Sequence, residues 1–559
     1  MGRQALPRRL VALAALAASL VLVTAAGAAD APVATITQTL AGLNDVASGG
    51  LAPPDVQVAA GPGFVVEMVN LAERVWRTSG VTSAQVVRTE PLGNFFSSGD
   101  DSLTDPRIVY DASSGRWLAS ISDIDTTSVL LAVSTGADPT GDWIVSSFAA
   151  PGCADQPRLG AADGIVVLAA DVFTQCEGGS GTALGSELWI VNKEQLLSGS
   201  VTPAVTTYGP DPAYSSLAPA QSLSPTATEY VVSVDRPFSR VVHLVAVDGI
   251  PPAEVRVKEV ASPSIGRLTR PPFAAQPPTG AGRPQPLIET NDDRVLDSAW
   301  DNGRLWFSAN TTCTPPGDAL VRACGRVGEL STVTRTLDWE TDLAQARAHV
   351  FYPAIRPDGA GNLVIVFAES GTGVLPEAVA VGRTQDGAFT APVVIAQSAG
   401  PYLADRYGDY FGAARDPVDP GVVWVAGEAG TEVRGGFGWV TALASVVVTP
   451  AGAALPAVVI AAPPGVRALR TARRTAGAVR LGYRALADGL GIRSIVTLRR
   501  KRSVVFFQTT AKAILRADQL YYVLWRPAKK PHGKFTLCVR TVSSAGIESP
   551  QSCSAITLG

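Results

Sequence analysis

The stretch DPRIVYDASSGRWLAS, residues 105–120, contains a short apolar segment, a polar turn and a second apolar run. The turn is rich in residues that reverse a chain, and apolar side chains flank it on both sides. The stretch therefore predicts an antiparallel β-hairpin. It opens with Asp105, Pro106 and Arg107. Two interpretations of this acid and guanidinium compete: a contact that the architecture needs, and a binding site for an anionic ligand.

The hairpin pattern occurs seven times. The other six segments are DVQVAAGPGFVVEMVN from Asp55, DQPRLGAADGIVVLAAD from Asp155, QSLSPTATEYVVSVD from Gln221, DRVLDSAWDNGRLWFSAN from Asp293, YPAIRPDGAGNLVIVFAES from Tyr352 and GDYFGAARDPVDPGVVWVAGE from Gly408. Their starts lie roughly 50 to 75 residues apart, a period typical of propellers and solenoids. VLLAVSTGADPTGDWIVSSF and AVAVGRTQDGAFTAPVVIAQ each supply a third and fourth strand. The sequence thus predicts an all-β fold, a seven-bladed β-propeller.

The N-terminus predicts export. Three arginines precede an apolar run from Leu10 to Val23, and the small residues AAGAAD follow, with a cleavage site near Ala28 or Ala29. The run is short for a membrane anchor, so we expect no membrane span and a secreted or cell-surface monomer. The predicted divisions are a signal peptide at 1–29, a lead-in at 30–52, the propeller at 53–449, a linker at 450–462 and a second domain at 463–559.

Charge is distributed unevenly along the chain. Residues 463–559 contain 18 Lys and Arg against 3 Asp and Glu, a net charge of +15, whereas the rest carries −18. A basic domain on an exported protein predicts attachment to an anionic cell-envelope polymer. A soluble spacer with a charged face is the alternative, and we do not expect nucleic acid as a partner.

The six cysteines predict three local disulfides. The midpoint of Cys153 and Cys176 lies directly after the turn dipeptide Asp163-Gly164, and the midpoint of Cys538 and Cys553 falls within Ala545-Gly546. Cys313 and Cys324 are centred beside PPGD. Zinc is the competing interpretation, but there is no C-x-x-C motif and the three histidines are far apart. We predict no metal ligation by these cysteines.

Several motifs resemble secreted bacterial β-propellers of the sialidase-like superfamily. They are DPRIVYDASSGRW, DQPRLGAADG, FYPAIRPDGAGNLVI and RYGDYFGAARDP, and the resemblance covers about residues 53–448. TQDGAFTAP and STGADPTGDW are similar to degenerate Asp-boxes, the turn motif of sialidase blades. In the tail, GAVRLGYRALADGLG and KFTLCVRTVSSAGIESPQSC resemble a fibronectin-III/Ig-like module, which implies a β-sandwich.

The sialidase resemblance implies a tyrosine nucleophile assisted by a glutamate, with an aspartic acid as general acid. Tyr352 or Tyr410 would take the first role, and Asp55 or Asp105 the last. The chain departs from the family in having seven repeats, one more than sialidases use. No glutamate is clearly placed as the partner of either tyrosine. An exo-glycoside hydrolase is therefore one implied function, beside a glycan-binding protein and a non-enzymatic scaffold for a protein partner.

Aligning the repeats predicts a ring of acids and guanidiniums at one end of the channel. Its proposed ligand-binding members are Arg107, Arg158, Arg294, Arg406, Asp155 and Asp409, with Gln57 and Asp293 at equivalent positions. In the structural interpretation each aspartate pairs with an arginine of a neighbouring blade. In the functional one the guanidiniums hold an anionic ligand such as a sugar carboxylate.

The remaining chemistry is sparse. His243, His349 and His532 are scattered, and no nucleophile elbow, P-loop or H-E-x-x-H motif is present. We predict no cofactor. The acidic segments SDIDTTS and ETNDD could offer oxygen ligands to a structural calcium ion.

Overall fold

The structure is a computed structural model that is almost entirely β. It describes residues 22–23, 31–79, 84–98, 102–176, 181–236, 238–278, 285–398, 400–403, 406–433, 436–453, 458–459, 466–475, 478–486, 489–501, 503–510, 513–515, 519–542, 549 and 551–558. The predicted signal peptide therefore lies outside the described residues, apart from 22–23. Within the described part there is no helix of the length and apolarity needed to cross a bilayer.

The first half of the chain forms short strands in succession, with two short helices. They are β1 (Leu22–Val23), β2 (Val33–Asn44), β3 (Gln57–Gly61), β4 (Phe64–Val69), β5 (Ala72–Arg77), β6 (Gln85–Pro91), α1 (Leu92–Phe95), β7 (Leu103–Asp111), β8 (Arg116–Asp123), β9 (Ser128–Ser134), β10 (Trp143–Ala149), β11 (Cys153–Ala161), β12 (Ile165–Phe173), β13 (Ala183–Asn192), α2 (Lys193–Leu197), β14 (Val205–Asp211), β15 (Ser215–Pro219), β16 (Gln221–Ser222), β17 (Glu229–Val234), β18 (Phe238–Asp248), β19 (Arg256–Ala261) and β20 (Ser264–Thr269).

The second half continues with strands alone. They are β21 (Val295–Asp301), β22 (Arg304–Cys313), β23 (Arg322–Ser331), β24 (Thr336–Leu343), β25 (His349–Pro357), β26 (Leu363–Gly371), β27 (Val374–Arg383), β28 (Val393–Gln397), β29 (Gly412–Arg415), β30 (Val422–Val433), β31 (Gly436–Thr449), β32 (Val458–Val459), β33 (Val466–Thr475), β34 (Ala478–Ala485), β35 (Gly489–Arg500), β36 (Ser503–Thr509), β37 (Ala513–Leu515), β38 (Leu520–Trp525), β39 (Gly533–Val542) and β40 (Ser552–Leu558).

Between β2 and β31 most strands form antiparallel groups of four. The orders are β3-β4-β5-β6, β7-β8-β9-β10, β11-β12-β13-β14, β15-β17-β18-β19, β21-β22-β23-β24, β25-β26-β27-β28 and β29-β30-β31-β2. The short strand β16 pairs in parallel with β11 and with β21 and so joins two of these groups into one sheet, and β20 pairs with β18. The first strand of each group contacts the first strand of the next, and β29 contacts β3. The inner strands therefore surround a common axis. A ring of four-stranded antiparallel sheets is the architecture of a β-propeller.

Strand β2 closes the ring by pairing with β31 from the other end of the body. The predicted boundary at residue 53 is corrected here, because the segment treated as a lead-in supplies the outermost strand of the last sheet. Thr37 and Ser445 share a hydroxyl hydrogen bond of 2.7 Å across this pair. The predicted linker at 450–462 contains β32, which pairs with β1.

Burial of the strands follows their distance from the axis. Strand β12 is buried over almost its whole length, because sheets pack on both of its faces. The fourth strands are more exposed. Most residues of β6 are exposed, and in β14 exposed residues alternate with half-buried ones. Hydrophobic clusters fill the space between successive sheets; one joins Leu118 and Val129 to Leu168 and Trp189. Sheet-on-sheet packing of this kind buries the apolar runs that the sequence repeats.

The basic tail forms two further sheets. One has the order β33-β34-β38, and the other β36-β35-β39-β40 with β37 paired to β35. Residues of both sheets share one hydrophobic core, which includes Leu481, Val496 and Leu537. The predicted disulfides are confirmed: Cys153–Cys176, Cys313–Cys324 and Cys538–Cys553 are bonded. The last pair lies directly opposite in the register of β39 and β40.

Candidate functional site

A repeated backbone device brings the candidate residues to one end of the ring. Four residues near the beginning of inner strands have positive φ, between 51° and 60°: Asp55 just before β3, and Asp105, Gln156 and Tyr352 in the first four residues of β7, β11 and β25. The pairing register of β7 shifts between Thr104 and Arg107, and β11 and β25 shift at the equivalent positions. These β-bulges turn the strand ends toward the axis. We call this end of the ring the mouth.

Three carboxyl groups meet at the mouth. One carboxylate oxygen from each of Asp55, Asp105 and Asp409 lies within 4.8 Å of the others, and we call these residues the acidic cluster. Asp55 accepts hydrogen bonds from the Asn70 side chain (2.7 Å) and from the backbone N–H of Asp409 (2.7 Å). The other end of the Asn70 amide accepts from the N–H of Asp105 at 2.8 Å. Asn70 thus fixes two members of the cluster through one side chain.

The acidic cluster favours protonated carboxyl groups. Burial raises the pKa of Asp55 well above its usual range, and the charges of Asp409 and Asp105 act in the same direction. The pKa of Asp105 is raised to about 7, chiefly by burial and then by Asp155 and Asp409. Asp105 is 5% exposed, and its Oδ1 has no hydrogen-bond partner among the described residues. Carboxyl groups crowded in this way cannot all be ionised at neutral pH.

The accessible part of the mouth is Arg406 with Asp409. Their side chains form an ion pair, and they are 45% and 15% exposed. Glu289 lies 3.9 Å from the guanidinium of Arg406, and the Asp155 side chain is 43% exposed on the other side of the acidic cluster. A ligand approaching from solvent therefore meets a guanidinium and two carboxylates before it reaches Asp55 and Asp105.

Arg294 lies at the centre of a second ionic network. Its Nε donates to Asp292 Oδ1 at 2.9 Å, and its Nη1 lies 3.6 Å from Asp155 and 3.7 Å from Asp171. Asp155 lies on β11 and Asp171 on β12, in a different group of four strands from β21, which follows Arg294, so these contacts connect two blades. Asp292 reaches Arg294 because it precedes Arg294 by two residues and its side chain curls back onto the guanidinium.

Arg107 and Arg158 lie inside the ring rather than on its mouth. Arg107 donates from Nε to the carbonyl of Pro157 at 3.2 Å, and its guanidinium stacks 3.6 Å from the Tyr410 ring centroid. Arg158 donates from Nη2 to the carbonyl of Val295 at 2.8 Å. Arg107 and Arg158 therefore contact other blades through backbone carbonyls, and not through the aspartates with which the structural interpretation paired them. Among the described residues, neither forms an ion pair with an aspartate.

The two tyrosine candidates are buried hydrogen-bond donors. Tyr352 donates its hydroxyl to the carbonyl of Glu289 at 2.8 Å, and Tyr410 donates to the carbonyl of Pro106 at 3.2 Å. Burial raises the pKa of both phenols well above their usual range. A nucleophilic tyrosine must be able to lose its phenolic proton, and a buried phenol with a raised pKa resists that loss. Both residues thus have the contacts of structural side chains.

Sequence reasoning missed several residues of the site. Asn70 directly follows strand β4, and Asp171 and Glu428 lie within the second strands β12 and β30, away from the aligned triplets. Glu428 is fully buried, and burial together with the charge of Asp55 raises its pKa well above the usual range. The signal that could have identified these residues is an acid or amide within, or directly after, an otherwise apolar second strand.

The acidic cluster is also the place where oxygen ligands for a cation come together. Its three carboxylates are of the type that Ca²⁺ prefers. The two acidic segments predicted from the sequence have other contacts. Asp123 accepts from the N–H of Thr126, which caps a turn, and Asp292 pairs with Arg294 and Arg236.

The histidines have structural contacts. His349 accepts the N–H of Ala323 on its Nδ1 at 3.1 Å, and burial lowers its pKa to about 4. His243 lies between Asp235 and Glu259, at 3.0 Å from each. The described contacts of these two histidines do not include the acidic cluster, so neither is assigned a role there. His532 lies in the tail.

Comparisons with known proteins add little to this geometry. No family model and no curated protein sequence matches the chain. Phage phi92 endosialidase is 10% identical over 95% of this chain and 88% of that chain, with a TM-score of 0.36. Bombyx mori GH32 beta-fructofuranosidase is 11% identical over 82% and 86%, with a TM-score of 0.29. A protein of unknown function from Dyadobacter fermentans is 11% identical over 80% and 94%, with a TM-score of 0.28. Similarity this weak carries no argument about function.

Proposed function

We propose that the protein is a secreted, seven-bladed β-propeller with a C-terminal fibronectin-III/Ig-like β-sandwich, and that it binds a glycan at the mouth. The observation that carries the proposal is the acidic cluster, whose three carboxyl oxygens lie within 4.8 Å of one another beside Arg406. A protonated Asp105 donates a hydrogen bond, an ionised carboxylate accepts one, and the guanidinium donates two or more. This set complements the neighbouring hydroxyl groups of a sugar, each of which both donates and accepts.

Ligand access favours Asp409 and Arg406 as the first contacts, since they are the exposed members of the group. Asp155 and Arg294 border the same space and would extend the contact surface. The basic tail would hold the protein on an anionic envelope polymer, which keeps the mouth close to surface glycans.

A glycan array followed by calorimetric titration of each hit tests the proposal. Replacing one charged hydrogen-bonding group costs about 1.5–3 kcal/mol, so Asp409→Asn should weaken binding about 10- to 150-fold. The matched control is Asp163→Asn, which removes an exposed acid at the opposite end of β11 and should leave the affinity unchanged. If Asp409→Asn and Asp163→Asn bind equally well, the ligand does not occupy the mouth. A protein partner without any glycan hit would favour the scaffold function instead.

A second candidate function is glycoside hydrolysis. Two catalytic carboxyl groups lie about 5–5.5 Å apart in retaining glycosidases, and the acidic cluster also brings carboxyl groups close together, with one oxygen of each within 4.8 Å of the others. A pKa of about 7 suits Asp105 to the role of general acid. Product analysis on array hits decides between the two functions. Hydrolysis that Asp105→Asn abolishes, with binding retained, would identify an enzyme; intact ligand after prolonged incubation would identify a binding protein.

A further inference from the structure

A small cavity lies on the axis of the ring, lined by the inner strands. Its lining includes Gln57, Arg107, Arg158, Asp297, Ser298 and Arg356, and its volume is about 40 Å³. Pockets for drug-sized ligands have volumes of about 300–1,000 Å³, so this cavity can hold a small ion with water and no sugar residue. It is therefore separate from the proposed glycan site at the mouth.

The three arginines of the cavity are all at least nine-tenths buried. Arg107, Arg158 and Arg356 are 7%, 4% and 5% exposed. Asp297 is the one acid among the lining residues, and it pairs with Arg356 at 3.3 Å. Arg356 also donates to the carbonyls of Ala413 and Ser298, so its guanidinium is satisfied. Arg107 and Arg158 have no acid of their own in the lining.

Donor groups of these two arginines remain unused. Among the described residues, Nη2 of Arg107 and both Nε and Nη1 of Arg158 are buried without a hydrogen-bond partner. Asp171 is the nearest counter-charge to Arg158, but it faces Arg294 and Arg236 at 3.7 and 3.8 Å and accepts from Ser186 and Ser216. The pKa of Arg158 is lowered to about 9, mainly by burial and partly by Arg294 and Arg107. Uncompensated buried guanidiniums are costly, and an anion removes that cost.

We infer that the axial cavity binds a small monovalent inorganic anion, of the class of chloride, between Arg107 and Arg158. The anion accepts hydrogen bonds from the three unused nitrogens and supplies the missing negative charge. The anion thereby connects the adjacent inner strands β7 and β11, which carry Arg107 and Arg158. The inference stands independently of the proposed glycan function, since it concerns a different space and a different ligand.

Thermal unfolding in sodium chloride against sodium gluconate, at constant ionic strength, tests the inference. A ligand that binds only the folded state raises the melting temperature with the logarithm of its concentration above the dissociation constant. We expect chloride to raise the melting temperature of the wild type in this logarithmic manner. Arg158→Gln should lose the chloride-dependent rise, whereas Arg304→Gln, which alters a half-exposed arginine elsewhere in the ring, should retain it. Nitrate and phosphate series then distinguish a halide site from an oxyanion site.

A second measurement does not depend on the folding of a variant. Crystals of the wild-type protein soaked in sodium bromide should show an anomalous peak on the axis, within hydrogen-bond distance of Arg107 Nη2 and Arg158 Nη1. An equal melting temperature in chloride and gluconate, together with no bromide peak in the cavity, would overturn the inference. A bromide peak in the cavity together with no glycan hit on the array would count against the proposed function and would leave this inference intact.

Discussion

Replacing Arg107 with alanine measures how much the axial contacts contribute to stability. The substitution removes a charged hydrogen bond to Pro157, worth about 1.5–3 kcal/mol, and a stacked contact with Tyr410, worth up to about 2 kcal/mol when desolvated. It also relieves the partnerless Nη2, whose burial costs about 1–3 kcal/mol. We expect the free energy of unfolding to fall by a net value of about 2 kcal/mol.

The assay is urea unfolding followed by tryptophan fluorescence, in gluconate buffer so that no chloride contributes. Arg304→Ala is the matched control: its side chain is 41% exposed and pairs with Glu329 at 3.5 Å, so its loss should cost below about 1 kcal/mol. Arg107→Lys keeps the charge but cannot stack as a planar group, and should lie between the wild type and alanine. If Arg107→Ala unfolds at the same urea concentration as Arg304→Ala, the account of blade-to-blade ties is wrong.

Three further predictions follow from the site, the disulfides and the tail. The pKa of Asp105 is raised from 3.8 to about 7 on folding, so its neutral form contributes stability that is present below about pH 4 and lost as the pH rises through 7; Asp105→Asn should flatten this part of the stability–pH curve measured by urea unfolding. Replacing Cys153 and Cys176 with serine opens a link between residues 23 apart, and calorimetry should report a loss of about 3 kcal/mol, whereas no change would mean that the loop is ordered without its disulfide. Retention of the full chain on anionic envelope polymer should decrease with salt, and replacing Arg499, Arg500 and Lys501 with glutamine should reduce it further; equal retention by this triple variant and the wild type would exclude these residues as the contact.

The β-propeller fold could be predicted from the sequence because each blade repeats its own hairpin signals. The stretch at 105–120 became β7 and β8, with the turn where its polar residues predicted one. The three disulfides followed from turn dipeptides at their midpoints. Strand β2 could not be predicted in the same way, because its partner β31 lies some 400 residues away and no turn connects them.

The sequence predicted which residues gather at one end of the ring better than it predicted where each side chain lies. Repeat alignment brought Asp55, Asp105 and Asp409 together, and the structure places one carboxyl oxygen of each within 4.8 Å of the others. Repeat alignment could not distinguish the mouth from the interior, because Arg107 and Arg158 lie only two or three residues after the aspartates of their own repeats. In a β-strand two residues span about 7 Å, which is enough to move a side chain from solvent into the axial cavity.

The pairing of β2 with β31 also sets the order of events during synthesis. Thr37 and Ser445 are 408 residues apart, and a contact this distant cannot form until nearly the whole body has been translated. At ribosomal rates of about 5–20 residues per second, the N-terminal strand waits roughly 20 to 80 seconds for its partner. During that interval β2 has no strand to pair with, and an unpaired strand edge is open to other chains. The strand that is synthesised first is thus the last of the ring to pair.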